Sequence, residues 1–122
     1  MSEGFDLNAY LLNPDNLKAG WTERMLLDGF RQVKPICCAD GLSLSVQASV
    51  THYCYPRNGI GPWTTVEIGF PSACVEELME YADDPDYPTG TVYGWVPVEV
   101  VEAVINNHSG IVPCPESASD TK

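Results

Sequence analysis

The sequence predicts a small α+β fold: a three-stranded, mostly antiparallel sheet with helices packed on one face. Three observations carry this. Leu42, Leu44, Val46, Ala48 and Val50 alternate with Ser43, Ser45, Gln47 and Ser49, the period of a strand with one buried and one wet face. Val75, Leu78, Met79 and Ala82 recur at helical spacing, the stripe of an amphipathic helix. Between the first strand and a second over 63–70, the chain holds Pro56, Asn58-Gly59 and Gly61-Pro62. Those residues suit a reversal, and the connection lacks the crossover a parallel pair needs.

The elements follow in order. Asn13 caps a short turn that Pro14 opens and Gly20 stops. Thr22 is the expected N-cap of a helix over 23–32, with Leu26, Phe30 and Val33 on its apolar face. Asp40-Gly41 turns the chain into the first strand. In the second strand, Val66, Ile68 and Phe70 point one way, and Thr65, Glu67 and Gly69 the other. Ser72 is the expected N-cap of the next helix, with Glu76 and Glu77 near its positive end. Residues 83–90 read as an acidic, proline-broken loop. Thr91 to Val96 reads as a third strand, rich in β-branched and aromatic types. Pro97 opens a final helix that buries Val98, Val101, Val104 and Ile105, and Gly110 is its expected C′ residue. The expected organisation is a helical extension over 1–35, an α+β core over 36–112 and a disordered tail over 113–122.

Charge is distributed unevenly. The net charge is −11, yet residues 1–57 hold six acids against five bases. From Asn58 to Thr121 there are eleven carboxylates and no Lys or Arg. Such a field repels nucleic acid and anionic membrane and favours a partner with a basic surface. No apolar stretch approaches the roughly 18 residues that span a bilayer. The N-terminus lacks the basic and apolar regions of a signal peptide, so a cytosolic setting is expected. In that setting the five cysteines are expected as free thiols.

Catalytic chemistry is not visible. His52 and Cys54, two apart, with Cys38, form a secondary metal reading, but the usual zinc spacing is missing; the expectation is no metal and no cofactor. A nucleophilic pair, Cys54 with His108 or Cys37 with His52, would need an activated thiol within hydrogen-bond reach, and no oxyanion-hole motif accompanies it. Gly59-Ile60-Gly61-Pro62 lacks the helix and lysine of a phosphate loop. The chain is therefore expected not to be an enzyme.

Two binding readings remain. In the first, Glu76, Glu77, Glu80, Asp83, Asp84 and Asp86 form a partner-binding face, with Tyr81, Tyr87 and Trp95 as anchors. The blander reading has Trp63 and Trp95 closing the core. In the second, Gln47, Ser49, Tyr53 and Arg57 bind a small ligand or nucleotide. The structural alternative for Arg57 is an internal ion pair with Glu67 or Asp40.

Three runs are familiar together: Cys38-Ala39-Asp40-Gly41-Leu42-Ser43-Leu44-Ser45-Val46-Gln47-Ala48-Ser49; Tyr53-Cys54-Tyr55-Pro56-Arg57 with Gly61-Pro62 and Val66-Glu67-Ile68-Gly69-Phe70-Pro71-Ser72; and Thr91-Val92-Tyr93-Gly94-Trp95-Val96-Pro97-Val98. Over roughly residues 36–110 the chain resembles a family of small, functionally uncharacterised proteins carried by tailed bacteriophages and prophages. The resemblance implies a setting rather than a chemistry: a phage-encoded accessory protein in the host cytoplasm. Some such proteins inhibit a host-defence protein by occupying its nucleic-acid-binding groove, in an anti-CRISPR-like manner, as a DNA mimic. Others sequester signalling nucleotides, and a virion or assembly component is a third alternative. The sequence leaves a homo-oligomer open.

Overall fold

In the computed structural model, which describes residues 4–18, 20 and 22–114, β1 (Ile36–Cys38) and β2 (Ser43–Gln47) form a hairpin at Asp40-Gly41. The Asp40 carboxylate accepts from the Leu42 amide at 3.1 Å, and Gly41 takes φ +105°, a conformation that glycine adopts without Cβ strain. β3 (Thr65–Gly69) pairs antiparallel with β2 through Val46↔Ile68, and β4 (Val92–Pro97) pairs antiparallel with β3. β5 (Ile111–Val112) pairs antiparallel with β1 through Cys37↔Val112. The sheet is five-stranded in the order β4-β3-β2-β1-β5. The α+β class and the antiparallel pairing stand, while the expected three strands are corrected to five.

The core lies on the Leu44, Val46, Val66 and Ile68 face of the sheet, all at most 1% exposed. α3 (Val98–Asn107) closes it with Val98, Val101, Val104 and Ile105, the four residues its periodicity assigns. Each such aliphatic contributes roughly 1.5–3 kcal/mol by burial. α3 ends in a Schellman motif: Gly110 N–H donates to the Ile105 carbonyl at 2.9 Å and Ser109 N–H to Asn106 at 3.2 Å. The C′ residue is thus Ser109, at φ +76°, and Gly110 follows it at φ +82°. α1 (Leu7–Leu12) packs Leu7 and Leu11 into the same core, and its Leu7 amide donates to the Glu102 carboxylate at 2.9 Å. The Asn13 cap forms as expected, accepting from the Asp15 amide before the 3-10 turn Pro14–Asn16.

Four local readings are corrected. α2 (Glu23–Leu27) has the Thr22 cap but stops short of residue 32. Gly29 reverses the chain at φ +94°, and Phe30 N–H closes back to the Met25 carbonyl at 3.0 Å. The segment after Pro71 is a 3-10 helix, Glu76–Tyr81, capped by Val75. Ser72 is not its N-cap, because its hydroxyl accepts from the Ser43 amide at 2.9 Å and its own amide donates to the Ser43 carbonyl at 2.8 Å. The expected stripe survives at tighter pitch, with Val75 and Leu78 buried and Met79 and Ala82 packed beside them. Phe70 does not share the Val66–Ile68 face: it follows β3 at φ +48° and stands 60% exposed.

The fourth correction concerns the nine-residue strand, which ends at Gln47. Its presumed wet face is partly dry. Extending the Ile36↔Leu44 register brings Val33 opposite Gln47, and the Gln47 amide takes the place of the ladder there. Its Oε1 accepts from the Val33 N–H and its Nε2 donates to the Val33 carbonyl, each at 2.9 Å. Ser49, 0% exposed, bonds Thr51 Oγ1 at 3.2 Å and His52 Nδ1 at 2.7 Å. Both polar side chains are buried because they are satisfied internally.

The expectation of free thiols is also corrected. β5 lies beside β1, so Cys114 reaches Cys37 with a Cα–Cα distance of 5.3 Å, and the two form a disulfide. Pro113 and Cys114 belong to the described chain; the rest of the expected tail, 115–122, lies outside the described residues.

Candidate functional site

β4 carries the feature that organises the exposed surface. Val66 pairs with Val96 and Ile68 with Tyr93, so Gly94 and Trp95 together oppose Glu67. This bulge changes the phase of the strand. Tyr93 and Val96 both turn inward, 0% exposed, while Trp95 stands 54% exposed at φ +51°. An aromatic residue in the left-handed region is uncommon, and such positions concentrate at functional sites. Trp63, not Trp95, closes the core.

The 48–64 loop folds over this bulge. Trp95 N–H donates to the Tyr53 carbonyl at 3.0 Å, and Tyr53 N–H donates to the Glu67 carboxylate at 2.9 Å. The Tyr53 ring stacks on Trp95 with centroids 5.0 Å apart and planes inclined by 23°. Arg57 lies with its guanidinium carbon 5.8 Å from the Tyr53 centroid, a cation–π distance. Gly94 permits this approach: a Cβ there would sit 3.2 Å from the Tyr53 Cβ. The alternative ion pair of Arg57 with Glu67 or Asp40 is not formed: Glu67 accepts the Tyr53 amide and Asp40 faces His108 at 2.6 Å.

On the other side of Trp95, residues 82–84 run along the edge of β4. Ala82 bridges Tyr93, Asp83 N–H donates to the Val92 carbonyl at 2.9 Å, and Asp84 N–H donates to the Thr91 hydroxyl at 3.0 Å. This edge brings Asp83 and Tyr81 beside Trp95 and Tyr53 around an open cleft of about 210 Å³. Tyr81 also lines a second cleft of about 430 Å³, with Glu76, Glu77, Glu80 and Glu99 around it. The Glu80 carboxylate as hydrogen-bond acceptor, then desolvation and the Glu80 charge, push the Tyr81 phenol up. Asp84, Asp86 and Tyr87 are exposed on the following loop, where Asp84 accepts from the Asp86 amide at 3.2 Å.

Of the sequence-derived acidic set, Glu76, Glu77 and Glu80 line one cleft and Asp83 the next, with Tyr81 on both, while Asp84, Asp86 and Tyr87 line neither. Among the described residues the acid–base contacts within ion-pair distance are Arg24–Asp28 and His108–Asp40, so none involves the carboxylates of this face. Sequence reasoning missed Glu99 and the pairing of Tyr53 with Trp95. Glu99 was findable, because a helix that buries Val98 and Val101 turns Glu99 to solvent. The Tyr53 contact was not, because it depends on the bulge.

The other candidates are not assembled. Gln47 and Ser49 are buried and spend their side chains on internal hydrogen bonds, whereas Tyr53 and Arg57 are exposed. Cys38, His52 and Cys54 do not form a metal cluster; among the described residues no three His, Cys, Asp or Glu side chains do. Burial pushes the Cys54 thiol up, and its Sγ donates to the Ser49 carbonyl at 3.3 Å. Burial likewise pushes His52 down, toward the neutral form. A thiol held protonated is a poor nucleophile, and Cys37 is committed to Cys114. No helix among the described residues is long and apolar enough to cross a membrane. No protein-family model, no curated protein and no solved structure matches this chain.

Proposed function

We propose that this chain is a phage-encoded accessory protein that binds a host protein and inhibits or modulates it by docking its acidic face on a basic groove. The observation that carries this reading is the convergence of Glu76, Glu77, Glu80 and Glu99 on one cleft, without an ion-paired base, which shares Tyr81 with a second cleft lined by the exposed Trp95. The carboxylates stand in for a phosphate backbone and steer the encounter. Tyr81 and Trp95 supply anchors that exclude water at the contact. The sequence resemblance supports the setting, and the charge distribution supports the polarity of the partner. The reading involves no catalysis, no direct contact with nucleic acid and no membrane.

Affinity capture from lysate of the infected bacterium tests it. The unmodified protein should retain a basic protein at low salt, identified by mass spectrometry. The Glu76→Lys, Glu77→Lys, Glu80→Lys variant should lose it. These side chains are exposed, so the variant should fold normally. Equal retention by both proteins would reject the acidic face as the docking surface.

A further inference from the structure

We infer that the cleft bounded by Tyr53, Tyr81, Trp95 and Asp83 is a receptor for one arginine side chain of the partner. This deepens the docking reading above and rests on it. Three features favour a guanidinium. The walls are aromatic, and the Tyr53–Trp95 stack is preformed, so a flat cation gains cation–π attraction without ordering the rings. Asp83 stands in the same cleft, and a carboxylate accepts a guanidinium through two parallel hydrogen bonds. Acids outnumber bases around the cleft: Arg57 stands over Tyr53, while Tyr81 links the cleft to the Glu76, Glu77 and Glu80 cluster, so a cation is drawn in and an anion is repelled.

The molecule itself holds one example of the contact: Arg57 lies over Tyr53 at 5.8 Å, outside the cleft. Lysine would fit less well. Its ammonium is compact and strongly hydrated, and it cannot stack. The left-handed backbone at Trp95 acquires a purpose on this reading, because it holds the indole outward as one wall of the receptor.

The test compares an octa-arginine peptide with an octa-lysine peptide by calorimetry at low salt. The two carry the same charge, so Coulombic steering by the acidic face treats them alike, and the Asp83 and Trp95 variants separate this cleft from the other carboxylates. The wild-type protein should bind octa-arginine about fivefold more tightly, the scale of one exposed cation–π contact. Asp83→Asn and Trp95→Leu should each erase most of that preference, lowering the octa-arginine affinity by a larger factor than the octa-lysine affinity. Trp95→Phe, which keeps a ring, should restore part of it and guards against a folding defect in the leucine variant. Equal affinities in the wild type, or a preference that survives both Asp83→Asn and Trp95→Leu, would overturn the arginine receptor and leave acidic docking intact. Failure of the wild type to bind either peptide would overturn both.

Discussion

Trp63→Ala is expected to destabilise the protein by about 3–5 kcal/mol, the range for removing a large buried aromatic. Trp63 is 2% exposed and ties three segments together. Its backbone N–H donates to Asn8 Oδ1 at 2.7 Å and its carbonyl accepts from Asn8 Nδ2 at 3.0 Å, which fixes α1 to the loop before β3. Its indole N–H donates to the Asn58 carbonyl at 3.0 Å. Gly61, at φ +64°, lies flat on the ring: a Cβ there would be 2.9 Å from Trp63 Cε3. Alanine would leave a cavity and an unpaired Asn58 carbonyl, and the two costs add. Urea unfolding followed by far-UV dichroism measures the loss. A shift below about 1 kcal/mol would mean that the loop collapses onto the void.

How much of this was legible beforehand depended on whether a feature is local. The alternation from Leu42 to Val50 located β2, and the Val98–Ile105 stripe located α3, because each follows from one repeating period. β1 and β5 were missed because three and two residues are too short to display a period. Ser72 looked like a helix cap by every local rule, yet a partner 29 positions away, Ser43, holds its hydroxyl. Gln47 looked solvated from its place in the pattern, yet its amide replaces the ladder opposite Val33. In each case a non-local hydrogen bond overrode a local preference.

The candidate site divides the same way. Its charge was readable, since residues 58–121 hold eleven carboxylates and no Lys or Arg. Its aromatic half was only partly readable. A strict strand period puts Trp95 on the same side as Tyr93, and only the bulge against Glu67 separates them. Arg57 lies over the Tyr53 ring and pairs with neither Glu67 nor Asp40, a contact that no sequence pattern announces.

The second large effect concerns the disulfide. Breaking Cys37–Cys114, which are 77 positions apart, should cost about 4 kcal/mol on the chain-entropy account of loop closure. β5 has only two residues, Ile111 at 39% and Val112 at 38% exposed, so burial alone gives little to hold the C-terminal segment against β1. A dithiol reductant, which is itself oxidised as the bond becomes two thiols, should lower the urea midpoint of the wild type. It should leave Cys114→Ser unchanged, and reduced wild type and variant should coincide. Cys38 and Cys54 are buried in the folded protein, which limits exchange at those thiols. Identical midpoints for oxidised and reduced protein, with the bond verified by mass, would show that the pairing across β1 and β5 holds without the link.

The central claim is that charge on one face drives association with a basic partner. It is tested most directly by the affinity for the captured host protein as a function of salt. Between about 50 mM and several hundred millimolar, the interaction should weaken steeply, mainly through a falling association rate, because the Debye length contracts from about 14 Å toward a few ångströms over that range. The Glu76→Lys, Glu77→Lys, Glu80→Lys variant should bind too weakly to measure even at the lowest salt. An affinity that stays constant across the series would contradict the account.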